Sequence, residues 1–437
     1  MNIVPSIELI PAKYGVGTLL TQVPMDVSGD FSVSRTTSPT TNLATRVNAS
    51  GFIETVADNV PRLDYYTSSG TPGCPALLVE PSGTNLLVRS NELNYGFPWS
   101  TTNIVFTTGS TSGFTSPDGT TNAFLMADTS VDSRHRISQV VQTSFVSGTT
   151  YTMSVFVKKN SSNRFLLLNA NTAFSARAVL NLDTLAITNL DGSGASIDNY
   201  GNGWYRFSIR GTATTTQLTT VFIQMQNSAS DADYIGNGSS FYLFGAQIEI
   251  GSIVTSYIPT TNQAITRNAD VINKTSASGL IGQTEGTMYA EFEYRTDTST
   301  RRILAISDGT QSNRIILYFA GGGITAAIEA GTMTVGTPVV GFNKVALGYI
   351  QSGVSGILTS SLNGGTVVSG TYSEYPASLN TVNVGKIEDT GTTSVINSRI
   401  RSVAIYKTRL PNYLLESATS QIQSYSALAS SLSYTVV

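Results

Sequence analysis

Short runs of alternating polar and apolar residues, separated by Gly, Asn or Asp, fill two parts of the chain, residues 89–260 and 284–408. In TYTMSVFVKK, for example, Tyr151, Met153 and Val155 recur with a period of two. That period gives a strand one apolar face, and many such strands bury their apolar faces by stacking one sheet on another. The pattern therefore predicts an all-β protein built from β-sandwiches of the jelly-roll type.

The length of the chain indicates more than one core, since 437 residues exceed one ordinary domain. We predict two sandwich domains in tandem. The N-terminal segment is polar and rich in turns, so we expect an irregular structure that packs on its neighbour or on another subunit. The predicted parts are an irregular N-terminal segment (1–88), a jelly roll (89–260), a linker (261–283), a second sandwich (284–410) and a C-terminal helix and tail (411–437).

The residues after Pro411 have a different period, because apolar side chains recur every three or four positions. That spacing predicts a short amphipathic helix with Pro in its first turn. We favour a helix docked on the sandwich, because about two and a half heptads are short for the alternative, a coiled coil. The apolar positions are Leu414, Ala418, Ile422, Tyr425, Leu428 and Leu432.

The composition excludes several classes of partner. Only 12% of the residues are charged and the net charge is −3, with no basic stripe, so we expect no nucleic-acid binding. No run approaches the ~20 apolar residues that span a bilayer, so we expect no membrane insertion. The first residues, MNIVPSIELIPAKYG, lack the basic region and apolar run of a secretory signal, and we expect synthesis in a cytoplasm.

The single Cys and the single His exclude an intramolecular disulfide and a Cys/His zinc site. Cys74 stands between Gly and Pro without a Cys-x-x-Cys partner, and we predict a small buried residue there. His135, in SRHRIS, is flanked by arginines and has no activated-serine motif near it, so we predict a structural or surface histidine.

Charged residues concentrate in the stretch PRLDYYTSSGTPGCPALLVEPSGTNLLVRSNE, residues 61–92. Loops with little apolar surface need directed hydrogen bonds to become ordered, and ionised groups make the strongest ones. We therefore predict a structural network that joins the N-terminal segment to the jelly roll. Its members are Arg62, Asp64, Glu80 and Arg89.

The segment FSVSRTTSPTTNLATRVNASGFIETVADNVPRLDY and the following CPALLVEPSGTNLLVRSNEL cover most of residues 30–92. Together they resemble the N-terminal signature of a family of tailed-bacteriophage virion proteins. In that signature R-x-[ST]…T-R-V-N-x-x-G-x-I-E leads to P-R-x-D-Y and then to L-L-x-E-x-x-x-T-N-L. The family usually has Arg immediately before the Thr of the last motif, where this chain has Gly83.

Two later parts extend the resemblance. GTTYTMSVFVK, GNGWYRFSI and YLFGAQIEIGSIVTSYIPTT are similar to the carbohydrate-binding-module-like jelly rolls of the same phage proteins. RIRSVAIYKTRLPNYLLESAT resembles the closing strand and helix of concanavalin A-like, laminin-G-type sandwiches. The resemblance implies a protein made in the host cytoplasm and displayed on the virion surface. It also implies other virion proteins as partners and, by analogy, a homo-oligomer, with a trimer favoured.

The leading hypothesis is a tail-fibre or appendage subunit that adheres to host surface polysaccharide without catalysis. Such binding needs aromatic platforms on loops of a rigid sandwich. Tyr95, Phe97 and Trp99, in NYGFPWS, are the candidate carbohydrate-binding residues, and a packing plug is the alternative for them. Trp204, in GNGWYRF, begins a strong strand and is predicted to lie in the core.

Two other functions stay open. The runner-up is a capsid decoration or head-fibre protein with a purely structural role. The third is a glycan-degrading enzyme, for which Glu291 and Glu293, alternating on one strand, are the nearest carboxylate pair. No cofactor is expected, and Asp308 and Asn313 in SDGTQSN are weak calcium candidates against the alternative of an ordinary hairpin turn.

Overall fold

The computed structural model describes residues 4–35, 44–93, 96–108, 114–160, 164–170, 176–191, 194–296, 299–329, 331–387 and 394–420. Strands make up most of the regular structure, and one short helix lies near the C-terminal end. The chain is therefore all-β, with sheets stacked as sandwiches, as the two-residue period predicts.

Among the described residues, the first strands of the chain are short, as expected of a polar, turn-rich segment. They are Ile7–Leu9 (β1), Tyr14–Gly15 (β2), Thr18–Leu19 (β3), Phe31–Ser34 (β4), Ala44–Val47 (β5), Ile53–Val56 (β6), Leu63–Asp64 (β7), Ala76–Val79 (β8) and Gly83–Asn85 (β9).

The middle of the chain contains longer strands with the predicted alternation. They are Trp99–Thr102 (β10), Ile104–Thr108 (β11), Phe124–Asp128 (β12), Asp132–Ser133 (β13), His135–Val140 (β14), Thr150–Lys159 (β15), Phe165–Asn169 (β16), Arg177–Asn181 (β17), Ile187–Asn189 (β18), Gly194–Asn199 (β19), Tyr205–Thr212 (β20), Thr220–Gln226 (β21), Tyr234–Ile235 (β22) and Ser240–Ile250 (β23).

The last part of the chain begins with two short strands and ends with the helix. Its elements are Ile265–Arg267 (β24), Val271–Lys274 (β25), Glu285–Tyr294 (β26), Arg301–Ser307 (β27), Arg314–Ala320 (β28), Gly323–Ile328 (β29), Gly331–Gly336 (β30), Gly341–Ser352 (β31), Ser355–Leu362 (β32), Val368–Tyr372 (β33), Thr381–Val384 (β34), Ser398–Tyr406 (β35) and Asn412–Thr419 (α1).

The middle strands form a jelly roll of two sheets. One sheet has the order β10-β14-β21-β16-β17-β18, and the other has the order β11-β12-β23-β15-β20-β19. Alternation along β15 turns Val155 and Val157 inward to a core shared by both sheets. That core also contains Met126, Phe207 and Ile223.

A larger sandwich contains strands from both ends of the chain. One of its sheets has the order β33-β32-β31-β26-β35-β8-β7, with β1 also paired to β35. The other has the order β2-β3-β4-β25-β34-β27-β28-β29-β30. A single apolar cluster lies between the two sheets and draws on both ends of the chain, including Leu9, Phe31, Leu77, Phe292 and Ile400.

This arrangement differs from the predicted division into an N-terminal segment, a linker and a second sandwich. Val79 of β8 pairs with Ser398, and β4 pairs with β25, so the segment 1–88 supplies strands to both sheets of the larger sandwich. The region 261–283, predicted as a linker, contains β24 and β25. A strand of three or four residues has too few positions to show a period of two. Its pairing cannot be predicted either, because its partner strand lies far away in sequence.

The jelly roll is inserted into the larger sandwich through a two-stranded neck. β9 leads out of the sandwich and β24 leads back, and the two pair antiparallel, with Asn85 opposite Ile265 and Gly83 opposite Arg267. The chain therefore leaves and re-enters the larger sandwich at one place, which we call the neck.

The C-terminal helix packs on the outside of the larger sandwich. Leu415 is buried in a small cluster with Ala346 and Leu410, and Leu414 packs at its edge. Ala418, predicted on the apolar face, is exposed, and Thr419 is buried instead. The predicted positions Ile422, Tyr425, Leu428 and Leu432 lie outside the described residues. In the described part of the chain, no helix has the length and apolar character needed to cross a bilayer.

Candidate functional site

The structure describes two of the three aromatic residues predicted to bind carbohydrate. Tyr95 lies outside the described residues, and Phe97 is exposed. Trp99 has no exposed surface, because its ring fills the jelly-roll core and its Nε1 donates to the backbone oxygen of Arg89 at 3.1 Å. Trp99 is therefore a packing residue with no face for a sugar, which corrects the prediction at that position.

A second aromatic cluster covers the outer face of the sheet that contains β15. Phe156, Tyr242 and Phe244 point away from the main core, and Tyr257 packs on them. Trp204 belongs to this cluster, is 2% exposed and donates from Nε1 to Thr115 O at 3.0 Å. The prediction that Trp204 is a core residue is confirmed, although the core is this outer cluster.

The N-terminal hairpin β5–β6 covers part of the cluster. Ile53 packs into it, and its backbone nitrogen donates to Pro117 O at 2.8 Å. Thr45 Oγ1 donates to the backbone oxygen of Tyr257 at 2.6 Å. The hairpin is thereby fixed to the jelly roll by hydrogen bonds and by apolar burial.

An open recess of about 390 Å³ remains where the hairpin, the loop before β12 and the loop before β20 meet. Aromatic rings bound it, and Phe114 among them stacks on Tyr242 with a centroid distance of 4.1 Å and an interplanar angle of 25°. Polar groups lie between the rings. The lining residues are Gly51, Phe52, Phe114, Thr115, Ser116, Pro117, Lys158, Tyr200, Gly201, Asn202 and Trp204. We call this feature the aromatic recess.

One wall of the aromatic recess is a tight turn between Tyr200 and Trp204. The turn is closed by hydrogen bonds from Tyr200 N to Trp204 O at 2.9 Å and from Trp204 N to Gly201 O at 2.8 Å. Gly201 has φ +78°, and a Cβ there would lie 2.2 Å from Gly70 O. Only glycine fits this contact, so the turn is held against the loop of the N-terminal segment.

Electrostatics in the aromatic recess come from Lys158. Its Nζ lies 4.3 Å from the ring centroid of Phe114 and donates to Asn202 O at 2.6 Å. Partial burial lowers the pKa of Lys158 below its ordinary value of 10.5. Burial raises the pKa of Tyr200, so its phenol stays neutral. The recess therefore combines ring faces, neutral polar groups and one ammonium.

Sequence reasoning did not find this site. Its rings come from Phe52, Phe114, Tyr200 and Trp204, which lie in three separate segments. The only available signal was YGNGW, a Gly-Asn-Gly turn between two aromatic residues. A ring on a loop binds ligands only if nothing covers it, and the sequence does not specify what covers it.

The predicted charged network is divided among different ion pairs. Arg62 Nη1 lies 2.6 Å from Glu80 Oε2, and Arg62 also contacts Asp270 through Nη2. Asp64 pairs with Arg399 of β35 at 3.0 Å. Arg89 contacts the partly exposed Glu92.

The buried part of the network lies at the neck. Arg35 pairs with Asp270 at 2.8 Å, and Arg267 lies 3.3 Å from Glu80. These four side chains and Arg62 are at most 2% exposed. Two carboxylates and three guanidinium groups thus join both ends of the inserted jelly roll to the larger sandwich.

Gly83 lies beside a buried carboxylate. A Cβ at Gly83 would lie 3.2 Å from Glu249 Oε2. Glu249 has no exposed surface and, within the described residues, makes no ion pair; it accepts hydrogen bonds from Thr255 and Gln247. The phage signature that this chain resembles usually has Arg at the position of Gly83. The difference between the two therefore lies next to Glu249, an acid that forms no ion pair with an arginine within the described residues.

Cys74 is exposed, so the prediction of a buried residue is wrong. The two prolines and two glycines around it leave its turn at the surface. His135 is buried, with Nδ1 2.6 Å from Asn103 O and Nε2 3.1 Å from Tyr234 O. Both ring nitrogens are used by backbone groups, which supports the structural reading of this histidine.

Each carboxylate of the candidate catalytic pair, Glu291 and Glu293, contacts an arginine. Glu293 pairs with Arg399 at 2.7 Å, and Glu291 lies 3.5 Å from Arg401. Each carboxylate is held by its own guanidinium, an arrangement that suits structural ion pairs better than a nucleophile and an acid.

The calcium candidates form a hairpin turn. Asp308 accepts hydrogen bonds from Thr310 and from Asn313 Nδ2, and Asn313 also bonds the backbone of Ala377. Within the described residues, no group of three or more His, Cys, Asp or Glu side chains could hold a metal ion.

No family model matches the chain, and no curated protein matches it. Among solved structures, the chain is similar to the Ruminococcus gnavus IT-sialidase CBM40 bound to α2,3-sialyllactose, with a TM-score of 0.29 and 17% identity over 33% of this chain and 87% of that one. It is also similar to the NanB sialidase of Streptococcus pneumoniae, with a TM-score of 0.30 and 12% identity over 35% and 27%. A pentraxin of Limulus polyphemus gives a TM-score of 0.26 and 15% identity over 32% and 70%. These similarities are too low to assign a family.

Proposed function

We propose that this chain is a non-catalytic subunit of a tailed-bacteriophage tail fibre or similar appendage, and that it binds host surface glycans. It is made in the host cytoplasm, joins other virion proteins and is displayed on the virion surface as a homo-oligomer, with a trimer favoured. The phage assignment rests on the resemblance of residues 30–92 to the N-terminal signature.

The aromatic recess is the observation that carries the glycan-binding proposal. Sugar rings have apolar faces that stack on aromatic side chains, and their hydroxyls bond to neighbouring polar groups. The recess offers Phe52 as a ring face, with Ser116 and Asn202 beside it, whereas the two faces of Phe114 are covered by Tyr242 and Lys158. Its volume of about 390 Å³ lies within the usual range for small-molecule sites.

The non-catalytic part of the proposal is supported by the state of the carboxylates. Glu291 and Glu293 each contact an arginine, as described above. Within the described residues, no Asp, Glu or His lines the aromatic recess. Glycoside hydrolysis needs a carboxylic acid and a second carboxylate on either side of the bond that breaks.

A structural role as a capsid decoration or head-fibre protein is the second candidate function. The observation that favours it is a group of exposed apolar side chains near the N-terminal end: Val16 at 77%, Met25 at 92% and Val27 at 70% exposure. Tyr14 and Val27 line one shallow depression there, and exposed apolar side chains that lie together are typical of surfaces that contact other proteins.

A glycan array probed with the full chain tests the proposal. We expect binding that is lost in Phe52→Ala, because the variant removes the ring face that the aromatic recess offers to a sugar. Tyr413→Ala is the matched control, since Tyr413 is an exposed aromatic on the C-terminal helix, outside the recess. Thermal unfolding verifies that both variants fold.

Three results would count against this function. Absence of binding by the virion-bound or oligomeric form would leave the structural role. A virion reconstruction that places the chain on the capsid lattice would exclude the tail fibre. Release of reducing ends from host polysaccharide, abolished by Glu291→Gln, would show an enzyme.

A further inference from the structure

Lys158 is the charged side chain of the aromatic recess. It lies near the end of β15, where alternation turns Val157 into the core and Lys158 to the outer face beside Phe114. A lysine ammonium has three N–H donors, and one of them bonds Asn202 O at 2.6 Å. The ammonium therefore has donors left for a ligand bound in the recess.

The surroundings of Lys158 provide no carboxylate partner among the described residues. The other residues that line the recess are uncharged. Asp118, in the nearby loop, accepts hydrogen bonds from Thr120 and Asn122. Lys158 differs in this respect from its neighbour Lys159, which contacts Asp183.

Resting on the proposed glycan-binding function, we propose that the aromatic recess selects acidic glycans, whose sugar units carry a carboxylate. The sugar ring stacks on Phe52, and the carboxylate accepts a hydrogen bond from Lys158 Nζ. The ammonium is already in place, because its bond to Asn202 O at 2.6 Å and its contact with the Phe114 ring at 4.3 Å hold Nζ in the recess.

An acidic ligand is preferred because a partly buried ammonium without a carboxylate partner is unfavourable. Burial disfavours the charged form of Lys158, and an anion bound beside Nζ offsets this effect. A hydrogen bond to an ionised partner is stronger than one between neutral groups, so a carboxylate is preferred to a hydroxyl at the same place. Aromatic stacking alone does not make this distinction.

The test compares oligosaccharides that differ only in the carboxylate. Trimers of galacturonate and of glucuronate are each presented beside the carboxyl-reduced trimer prepared from them, together with neutral glycans, and binding by the full chain is measured. We expect the acidic trimer to bind about tenfold or more tightly than its reduced counterpart. We also expect this preference to weaken as salt is raised.

Lys158→Met is the deciding variant, because Met keeps the stem of the side chain and removes the charge. Lys159→Met is its matched control, with the same change of charge one residue along the strand and on the opposite face. We expect the preference for acidic trimers to disappear in the first variant and to persist in the second.

Each of the remaining outcomes contradicts one part of the proposal. Equal binding of acidic and reduced trimers, or a preference that survives Lys158→Met, overturns acidic selection and leaves glycan binding intact. Binding of acidic trimers that persists in Phe52→Ala overturns the stacking geometry. No binding to any glycan, acidic or neutral, overturns the proposed function itself.

Discussion

Arg62 Nη1 lies 2.6 Å from Glu80 Oε2, and both side chains are buried at the neck between the two sandwiches. Glu80 also accepts hydrogen bonds from the backbone nitrogen and the hydroxyl of Ser256, at 2.6 and 2.7 Å. Arg62 contacts Asp270 on the return path of the chain. Through these contacts Arg62 and Glu80 together connect the N-terminal segment to both sides of the neck.

Replacing Glu80 by Gln should destabilise the protein strongly. The amide keeps the shape of the side chain but leaves Arg62 and Arg267 buried with one carboxylate fewer. Breaking a buried ion pair from one side costs about 3–5 kcal/mol. We expect a loss of this size in the free energy of unfolding, measured by urea denaturation.

Glu92→Gln is the matched control for this change. Glu92 pairs with Arg89 at a partly exposed position, and exposed pairs contribute about 0–1 kcal/mol. A similar loss in both variants would contradict the structural importance of the neck.

Acid should destabilise the protein by protonating the buried carboxylates of Glu80 and Asp270 at the neck. Burial by itself would raise the pKa values of Glu80 and Asp270, but the nearby arginines outweigh burial and hold both below their ordinary values of 4.5 and 3.8. Because the folded values lie below the unfolded ones, the stabilisation is present above about pH 5 and is lost as the pH falls. Denaturation curves for wild type and Glu80→Gln at pH 7, 5 and 3 should converge towards acid. A constant difference between them would refute the argument.

Glu249 should show the opposite dependence on pH. Its burial raises its pKa above 4.5, against the opposing effects of Arg206 and Thr255. Since the folded value is the higher one, the side chain contributes most stability below pH 4.5, and this contribution is lost as the pH rises. Gln does not titrate, so Glu249→Gln should gain stability relative to wild type between pH 4 and pH 7. Urea denaturation of both proteins at each pH measures the difference, which must grow with pH if the argument holds.

Gly201→Ala should destabilise the wall of the aromatic recess. The φ of +78° costs a residue with a Cβ about 1–2 kcal/mol, and the contact of 2.2 Å with Gly70 O adds a steric penalty. Gly203→Ala is the control, because it has the same φ of +78° but meets only the flexible end of Lys158, at 3.3 Å. We expect thermal unfolding to show a larger loss of stability for Gly201→Ala than for Gly203→Ala. Equal losses would mean that the loop around Gly70 moves to make room for the added methyl group.

The Trp99 and Trp204 positions illustrate what local sequence reveals about burial. Trp204 precedes a strand with clear alternation, and its burial follows from that position. Trp99 stands in an aromatic, Pro-containing stretch that suits either a ligand platform or a packing plug, and the tertiary contacts with the jelly-roll core make it a plug. The sequence lacks the information that decides between them, because the covering residues come from elsewhere in the chain.

The sequence alone determined the all-β class, the strands of the jelly roll and the importance of Arg62 and Glu80, because period, turn residues and charge are local properties. The tertiary structure decided which strands share a sheet. Val79 pairs with Ser398, and the four rings of the aromatic recess come from three distant segments. The backbone of one strand can pair with the free edge of any other strand. The partner and register of strands that are several hundred residues apart are therefore set by which pairing buries the apolar faces in the whole fold.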